Sequence, residues 1–212
     1  MDGETVSQIR AVAEFLDLSW RFKSIEGWLG PLEGYVLYRL ARDGEGKGEI
    51  VEIGSWMGRS TAWLAAGSMA RGRERVHAVD TFDGGAALKA EDYPVLKEQG
   101  TTYKVFLDNL KGAGLLNHVE PIVADSRTAA AGWSQGSIRL LFIDGDHSYE
   151  AVKADVEAWL PHVPSGGYVV FDDVHQNYPG VQRLTAEVTA EAGPLKRVMV
   201  VGPVWVTRRR ED

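Results

Sequence analysis

The chain has 212 residues, 23 Lys and Arg against 30 Asp and Glu, and a formal net charge of −7. That length suits one α/β domain (1–212) with a sizeable core, and an acidic balance without a basic face excludes a nucleic-acid phosphate track. The absence of cysteine excludes disulfides, thiolate catalysis and a cysteine zinc site, and fits a cytoplasmic location.

Residues 5–42 carry apolar side chains at helical spacing, interrupted by Gly27 to Pro31, which predicts two N-terminal helices within 1–45. The first residues show neither the basic start nor the apolar stretch of a signal peptide, and no apolar run reaches membrane-span length. After a Gly-rich connection at 43–48 the pattern becomes strands alternating with helices. EIVEIG is followed by a helix over 60–70 and by RVHAVD, then HVEPIVA and IRLLFID. A helix over 149–160, the strand GGYVVFDD, a helix over 181–192, and KRVMVV with VWVTRR complete the series. Short apolar strands separated by helices predict a doubly wound, mostly parallel seven-stranded sheet covered on both faces. The last two strands are separated only by Gly202-Pro203, so the C-terminal strand is expected to be antiparallel. Residues 84–117 break this rhythm and read as an insertion, partly helical over 103–111. Such a segment is a candidate lid or substrate loop, or else a surface helix without ligand contact. The Arg208-Arg209-Arg210 run, followed by Glu211 and Asp212, reads as a solvated tail.

In VEIGSWMGRSTAWLAAG, Gly54 and Gly58 lie between a strand and a helix. Gly54 lets the chain turn, Gly58 permits close approach of backbone to ligand, and the helix start offers unpaired N–H groups. Trp56 stands where a second glycine of a dinucleotide clamp belongs, and no Gly-Lys-Ser/Thr follows, which argues against an NAD enzyme and a P-loop. Glu52 is an acid inside an apolar strand and needs a partner, either a cationic ligand or a local hydroxyl or cap. Asp80 ends the second strand, where a carboxylate accepts hydrogen bonds from ribose hydroxyls or caps a turn. Asp83, before Gly84-Gly85, reads as a turn residue.

The combination E-I-G-S-W-M-G-R-S at 52–60, V-D-T-F at 79–82, N-L at 109–110, V-A-D-S at 123–126 and F-I-D-G-D-H-S-Y at 142–149 resembles class I S-adenosylmethionine-dependent methyltransferases. Within these it is similar to the small-molecule O-methyltransferases labelled methyltransferase family 24, related to catechol O-methyltransferases. The resemblance spans roughly residues 25–207 and implies a Rossmann-like fold. By it, Glu52, Gly54, Ser55, Gly58 and Ser60 would surround the methionine part of the cofactor. Asp80 with Thr81 would hold the ribose, Asp125 and Ser126 would lie near the adenine, and Asp144 would border the cofactor. Trp56 and Arg59 fall at variable positions and receive no role.

Asp144 and the pair Asp172-Asp173 also end strands, and the stretch between them holds one helix and a right-handed crossover, so these ends should be neighbours. Three converging carboxylates repel unless a cation neutralises them, and oxygen ligands select Mg²⁺, Mn²⁺ or Ca²⁺ over zinc. The resemblance places acids that hold Mg²⁺ at the positions of Asp144, Asp172 and Asp173, with Asp173 replacing an amide. It places a lysine base at the position of His147. A histidine there can take a proton from a hydroxyl at neutral pH, can ligate the metal or contact the cofactor, or can simply start the next helix. Asp146 and Ser148 read as helix-starting residues, and His175 as a loop residue within reach of the acid pair. His77, His118 and His162 read as structural or exposed, and Trp28, Trp133 and Trp159 as packing residues. The reading is a metal-dependent O-methyltransferase acting on a small hydroxylated metabolite, a natural-product sugar or an aromatic hydroxyl. The alternatives are a non-catalytic S-adenosylmethionine-binding module and a metal-dependent hydroxylase, although carboxylates outnumber the histidines that a facial triad needs. No nucleic-acid or membrane partner is expected, and the N-terminal helices and the insertion are the candidate surfaces for a homodimer.

Overall fold

The structure, a computed structural model, describes residues 2–85 and 88–211. Two helices, α1 (Gly3–Phe22) and α2 (Pro31–Asp43), precede β1 (Glu49–Ile53), α3 (Arg59–Ala70) and β2 (Val76–Asp80). Then come α4 (Pro94–Gln99), α5 (Tyr103–Gly112), β3 (Val119–Val123), α6 (Ser126–Ala131), β4 (Ile138–Ile143) and α7 (Tyr149–Trp159). The chain ends with β5 (Tyr168–Phe171), α8 (Pro179–Val188), β6 (Leu195–Val201) and β7 (Val204–Arg209).

The strands form one seven-stranded sheet in the order β3-β2-β1-β4-β5-β7-β6. The first five run parallel, and β7 lies antiparallel to both β5 and β6. The predicted doubly wound sheet with an antiparallel C-terminal strand is therefore present. Alternation along β1 sends Ile50 to a core made with α1, α2, α3 and α5, while Val51 and Ile53 face a second core with α6, α7 and α8. Glu52 shares the first of these faces by the same period.

Local chemistry sets the helix ends. Asp2 caps α1 through Thr5 N–H, and Ser148 caps α7 through Ala151 N–H. The helix predicted over 181–192 starts at Pro179 and stops at Val188, where Thr189 Oγ1 bonds back to Thr185 O at 2.6 Å. In the insertion, α5 buries Phe106 and Leu110 completely, so this helix belongs to the core. Of that segment, Gly84, Gly85 and Leu88 reach the main cavity, and residues 86 and 87 lie outside the described residues.

The order of strands reverses between β1 and β4: the chain winds outward from β1 to β3, then returns to lay β4 on the other side of β1. Helices following adjacent strands thus diverge to opposite faces and open a crevice at the carboxyl ends of β1 and β4.

Candidate active site

A cavity of about 1150 Å³ fills this crevice. Its floor is the carboxyl edge of the sheet, and among the described residues the three non-glycine residues with positive φ all lie there: Trp56 (φ 47°) after β1, Phe82 (φ 58°) after β2 and Asp173 (φ 58°) after β5. Left-handed backbone at such residues costs energy and persists where the surroundings hold it.

Gly54 adopts φ 83°, and a Cβ there would lie 2.1 Å from Asp144 O. The turn after β1 is pressed against the end of β4, so the glycine serves strand-to-strand approach. Asp80 organises the same turn, its Oδ2 accepting from Ser55 N–H at 2.7 Å and Trp56 N–H at 2.8 Å while Oδ1 accepts from Phe82 N–H at 2.7 Å. The carboxylate lines the cavity with these bonds already made. Thr81, also on the wall, donates to Asp83 at 2.6 Å, and Asp83 accepts from Gly85 N–H at 2.9 Å as a turn residue does.

Glu52 and Gly58, expected beside the methionine part of the cofactor, do not themselves line the cavity. Glu52 is 0% exposed and lies behind the cavity wall, accepting from Ser55 Oγ at 2.8 Å and from Thr61 Oγ1. Its other oxygen has no partner among the described residues, and burial pushes its pKa up to about 7. Gly58 has φ 91°, and a Cβ there would meet the Phe106 ring at 3.1 Å. It makes room for α5. Ser55 and Ser60 do line the cavity, as does Arg59, whose Nη1 donates to Gly27 O at 2.9 Å.

Past β3, Asp125 is spent as the cap of α6, accepting from Thr128 N–H at 3.0 Å and Thr128 Oγ1 at 2.6 Å. Ser126 Oγ accepts from Trp159 Nε1 at 2.9 Å. Behind it stands Asp155, a cavity-lining carboxylate only 7% exposed, whose pKa burial raises to about 6 against the opposing effect of Ser126. Asp155 was missed in the sequence, yet Val152, Asp155, Val156 and Trp159 share the buried side of α7. One acid at helical spacing on an apolar face is the signal that marks it.

At the ends of β4 and β5, Asp144, His147 and Asp173 bring ligand atoms within 4.8 Å of one another. Burial and the charges of Asp172 and Asp173 push Asp144 well above the usual carboxylate range. Burial likewise raises Asp172 to about 6. Asp173 is held low despite burial, because His147 and His175 face it. His147 Nε2 lies 2.8 Å from Asp173 Oδ2 without the alignment of a good hydrogen bond, and His175 Nε2 lies 3.1 Å from Oδ1. Asp172 lies close enough for its charge to raise Asp144, its Oδ1 accepts from Asp173 N–H at 2.7 Å, and His147 completes the cluster with Asp144 and Asp173.

Tyr178 stacks on His147 with ring centroids 4.1 Å apart. Gly180 permits this, since a Cβ there would lie 2.4 Å from Tyr149 N and 2.6 Å from His147 O. Asp146 accepts from Ser148 N–H at 2.7 Å and starts α7, as read from the sequence. Trp159 is buried and Trp133 packs on it, as expected. Trp28 is 66% exposed on the cavity wall, which corrects its reading as a packing residue.

A methyltransferase-domain profile matches residues 51–174, from β1 through the acid pair after β5. The chain belongs to the methyltransferase-domain family. Among sequence relatives of this methyltransferase-domain chain, the 8-demethyl-8-(2,3-dimethoxy-alpha-L-rhamnosyl)-tetracenomycin-C 4'-O-methyltransferase of Streptomyces olivaceus is 29% identical over 151 residues, 66% of this chain. The match spans 57% of that protein, and a mimivirus relative is matched over 27% of its length. Among solved structures, the O-methyltransferase TomG of Streptomyces achromogenes, in complex with SAM, superposes with a TM-score of 0.64 at 16% identity, covering 95% of this chain and 90% of that one. CalS11, a TDP-rhamnose 3'-O-methyltransferase, gives a TM-score of 0.58 at 25% identity, covering 85% and 79%.

Proposed function

We propose that this chain is an S-adenosylmethionine-dependent O-methyltransferase, assisted by a divalent metal ion, that methylates a hydroxyl of a small metabolite. The observation that carries this reading is the Asp144, His147 and Asp173 cluster opening into the same cavity as Asp80 and Ser126. Cofactor and acceptor therefore meet over adjacent strand ends. The fold carries SAM in TomG, and the tetracenomycin relative acts on a sugar hydroxyl.

Bound S-adenosylmethionine would supply an electrophilic methyl group, which would pass to the acceptor oxygen as its bond to sulfur breaks, and the residues around the cavity would align the two. The hydroxyl proton goes to His147, which Tyr178 holds by stacking. Asp144 and Asp173 offer an acidic, oxygen-rich site fit for Mg²⁺, Mn²⁺ or Ca²⁺, with Asp172 orienting Asp173. A bound ion supplies positive charge that cancels their repulsion and acidifies a hydroxyl. Alignment of oxygen, methyl and sulfur supplies much of the rate, on the order of several kcal/mol.

Methyl transfer from labelled S-adenosylmethionine to a metabolite panel, with calorimetry of cofactor binding, tests this. Asp144→Ala and Asp173→Ala should each abolish turnover while leaving cofactor affinity within a few-fold. EDTA should abolish activity and added Mg²⁺ restore it; full activity in EDTA would remove the metal from the proposal.

A further inference from the structure

The sheet order places Ser126 and Arg127, past β3, at one end of the cavity and Asp172-Asp173, past β5, at the other. Charge is very uneven along this length. Glu26 lines the cavity, and Glu33, Asp144, Asp172 and Asp173 gather at its β5 end. Glu33 approaches from α2 between Gly30 and Gly202, where an added Cβ would come within 2.2 and 2.3 Å of its oxygens, and its charge raises Asp172. Arg59, at the start of α3, also lines the cavity and donates its Nη1 to Gly27 O while keeping its positive charge. Arg127 belongs to the β3 end.

An aromatic wall stands beside these acids. Trp28 and Trp56 line the cavity with ring centroids 5.6 Å apart, and Tyr93 packs against them at 6.1 and 5.0 Å. Trp56 is held at a positive φ, and its Nε1 is buried without an acceptor among the described residues. An exposed indole beside an indole N–H that lacks a partner fits a ligand with both an apolar ring face and an oxygen. The cavity volume of about 1150 Å³ exceeds the usual span for one small molecule and leaves room for an acceptor larger than a free sugar beside the cofactor.

Resting on the methyl-transfer reading above, we propose that the acceptor is an uncharged glycoside whose planar apolar aglycone lies on Trp28 and Trp56, and that phosphate-bearing acceptors are excluded by the carboxylates of Glu26, Glu33 and the β5 end. This separates the chain from CalS11, a TDP-rhamnose methyltransferase, although the folds superpose. A diphosphate brought among these acids would meet the repulsion of Glu33, Asp144, Asp172 and Asp173, against the single charge of Arg59 and one divalent ion.

Calorimetry on protein saturated with S-adenosylhomocysteine tests the assignment, using 2-naphthyl α-L-rhamnoside and thymidine diphosphate rhamnose as probes. The glycoside should bind at least about tenfold more tightly than the nucleotide sugar. Trp28→Ala should weaken the glycoside about tenfold, the scale of a lost aromatic contact, with S-adenosylhomocysteine affinity unchanged. Trp28 is exposed, so the substitution leaves the core intact, and Tyr93→Phe serves as the conservative control that keeps glycoside binding. Equal or tighter binding of the nucleotide sugar, an unaffected Trp28→Ala variant, or failure of both probes to bind overturns the proposal. Failure of the native protein to bind S-adenosylhomocysteine would instead sink the methyl-transfer reading.

Discussion

Glu52 illustrates how a single residue can be noticed in a sequence while its protein partners stay hidden. An acid within EIVEI demands a partner, and that much follows from chemistry alone. Which partner depends on Thr61, two residues into α3, turning its hydroxyl inward to meet it beside Ser55. Periodicity does not foretell that rotamer, so a cationic ligand and a nearby cap both stayed open. The burial has a pH signature. With its native pKa raised from 4.5 to about 7, Glu52 stabilises the fold fully below pH 4.5 and loses that contribution as pH rises through 7. The melting temperature of the native protein should therefore fall relative to Glu52→Gln between about pH 4.5 and 7, then run parallel to it. A pH-independent difference in thermal melts would show that Glu52 is not protonated in the fold.

At the level of elements, the strands and most helices were legible because their periods change cleanly from 2 to 3.6 between Gly-rich breaks. The metal-site candidates Asp144 and Asp173 were legible for the same reason, as polar residues ending apolar strands. What was hidden depends on contacts between elements distant in sequence. Glu33 sits in α2 with nothing local to mark it, and Trp28 looks like any aromatic in a loop until Trp56 and Tyr93 gather beside it. Gly180 is the sharpest case. In NYPGV it reads as turn composition, yet it lets α8 touch the backbone of residues 147–149 and bring Tyr178 onto His147. Gly180→Ala should cost roughly 1–3 kcal/mol in denaturant unfolding, because the contacted atoms are backbone and cannot swing aside. Turnover should fall more than stability predicts, on the order of 10²-fold, as His147 is displaced.

Across the whole molecule, a buried arginine helps to join the sheet to its helices. The connection is polar: Arg139, fully buried at the start of β4, bonds Leu40 O at 3.1 Å, Ala41 O at 2.6 Å and the carboxylate of Glu74. Burial lowers its pKa to about 10, which still leaves it charged at neutral pH. It fastens the C-terminus of α2 and the α3–β2 connection to the amino edge, opposite the cavity. Arg139→Met should cost about 3 kcal/mol, by leaving Glu74 and two carbonyls poorly paired. The melting temperature should fall by roughly 6–12 °C, while turnover at low temperature stays near the native value.

The placement of the positive-φ residues has a consequence for how such a protein can change. Trp56, Phe82 and Asp173 hold unfavourable backbone on the edge that floors the cavity. Selection for heat resistance would be drawn toward relieving these positions, and selection for catalysis toward keeping them. The opposite edge, where Arg139 works, is free of that conflict and is where durability can be added without cost to chemistry.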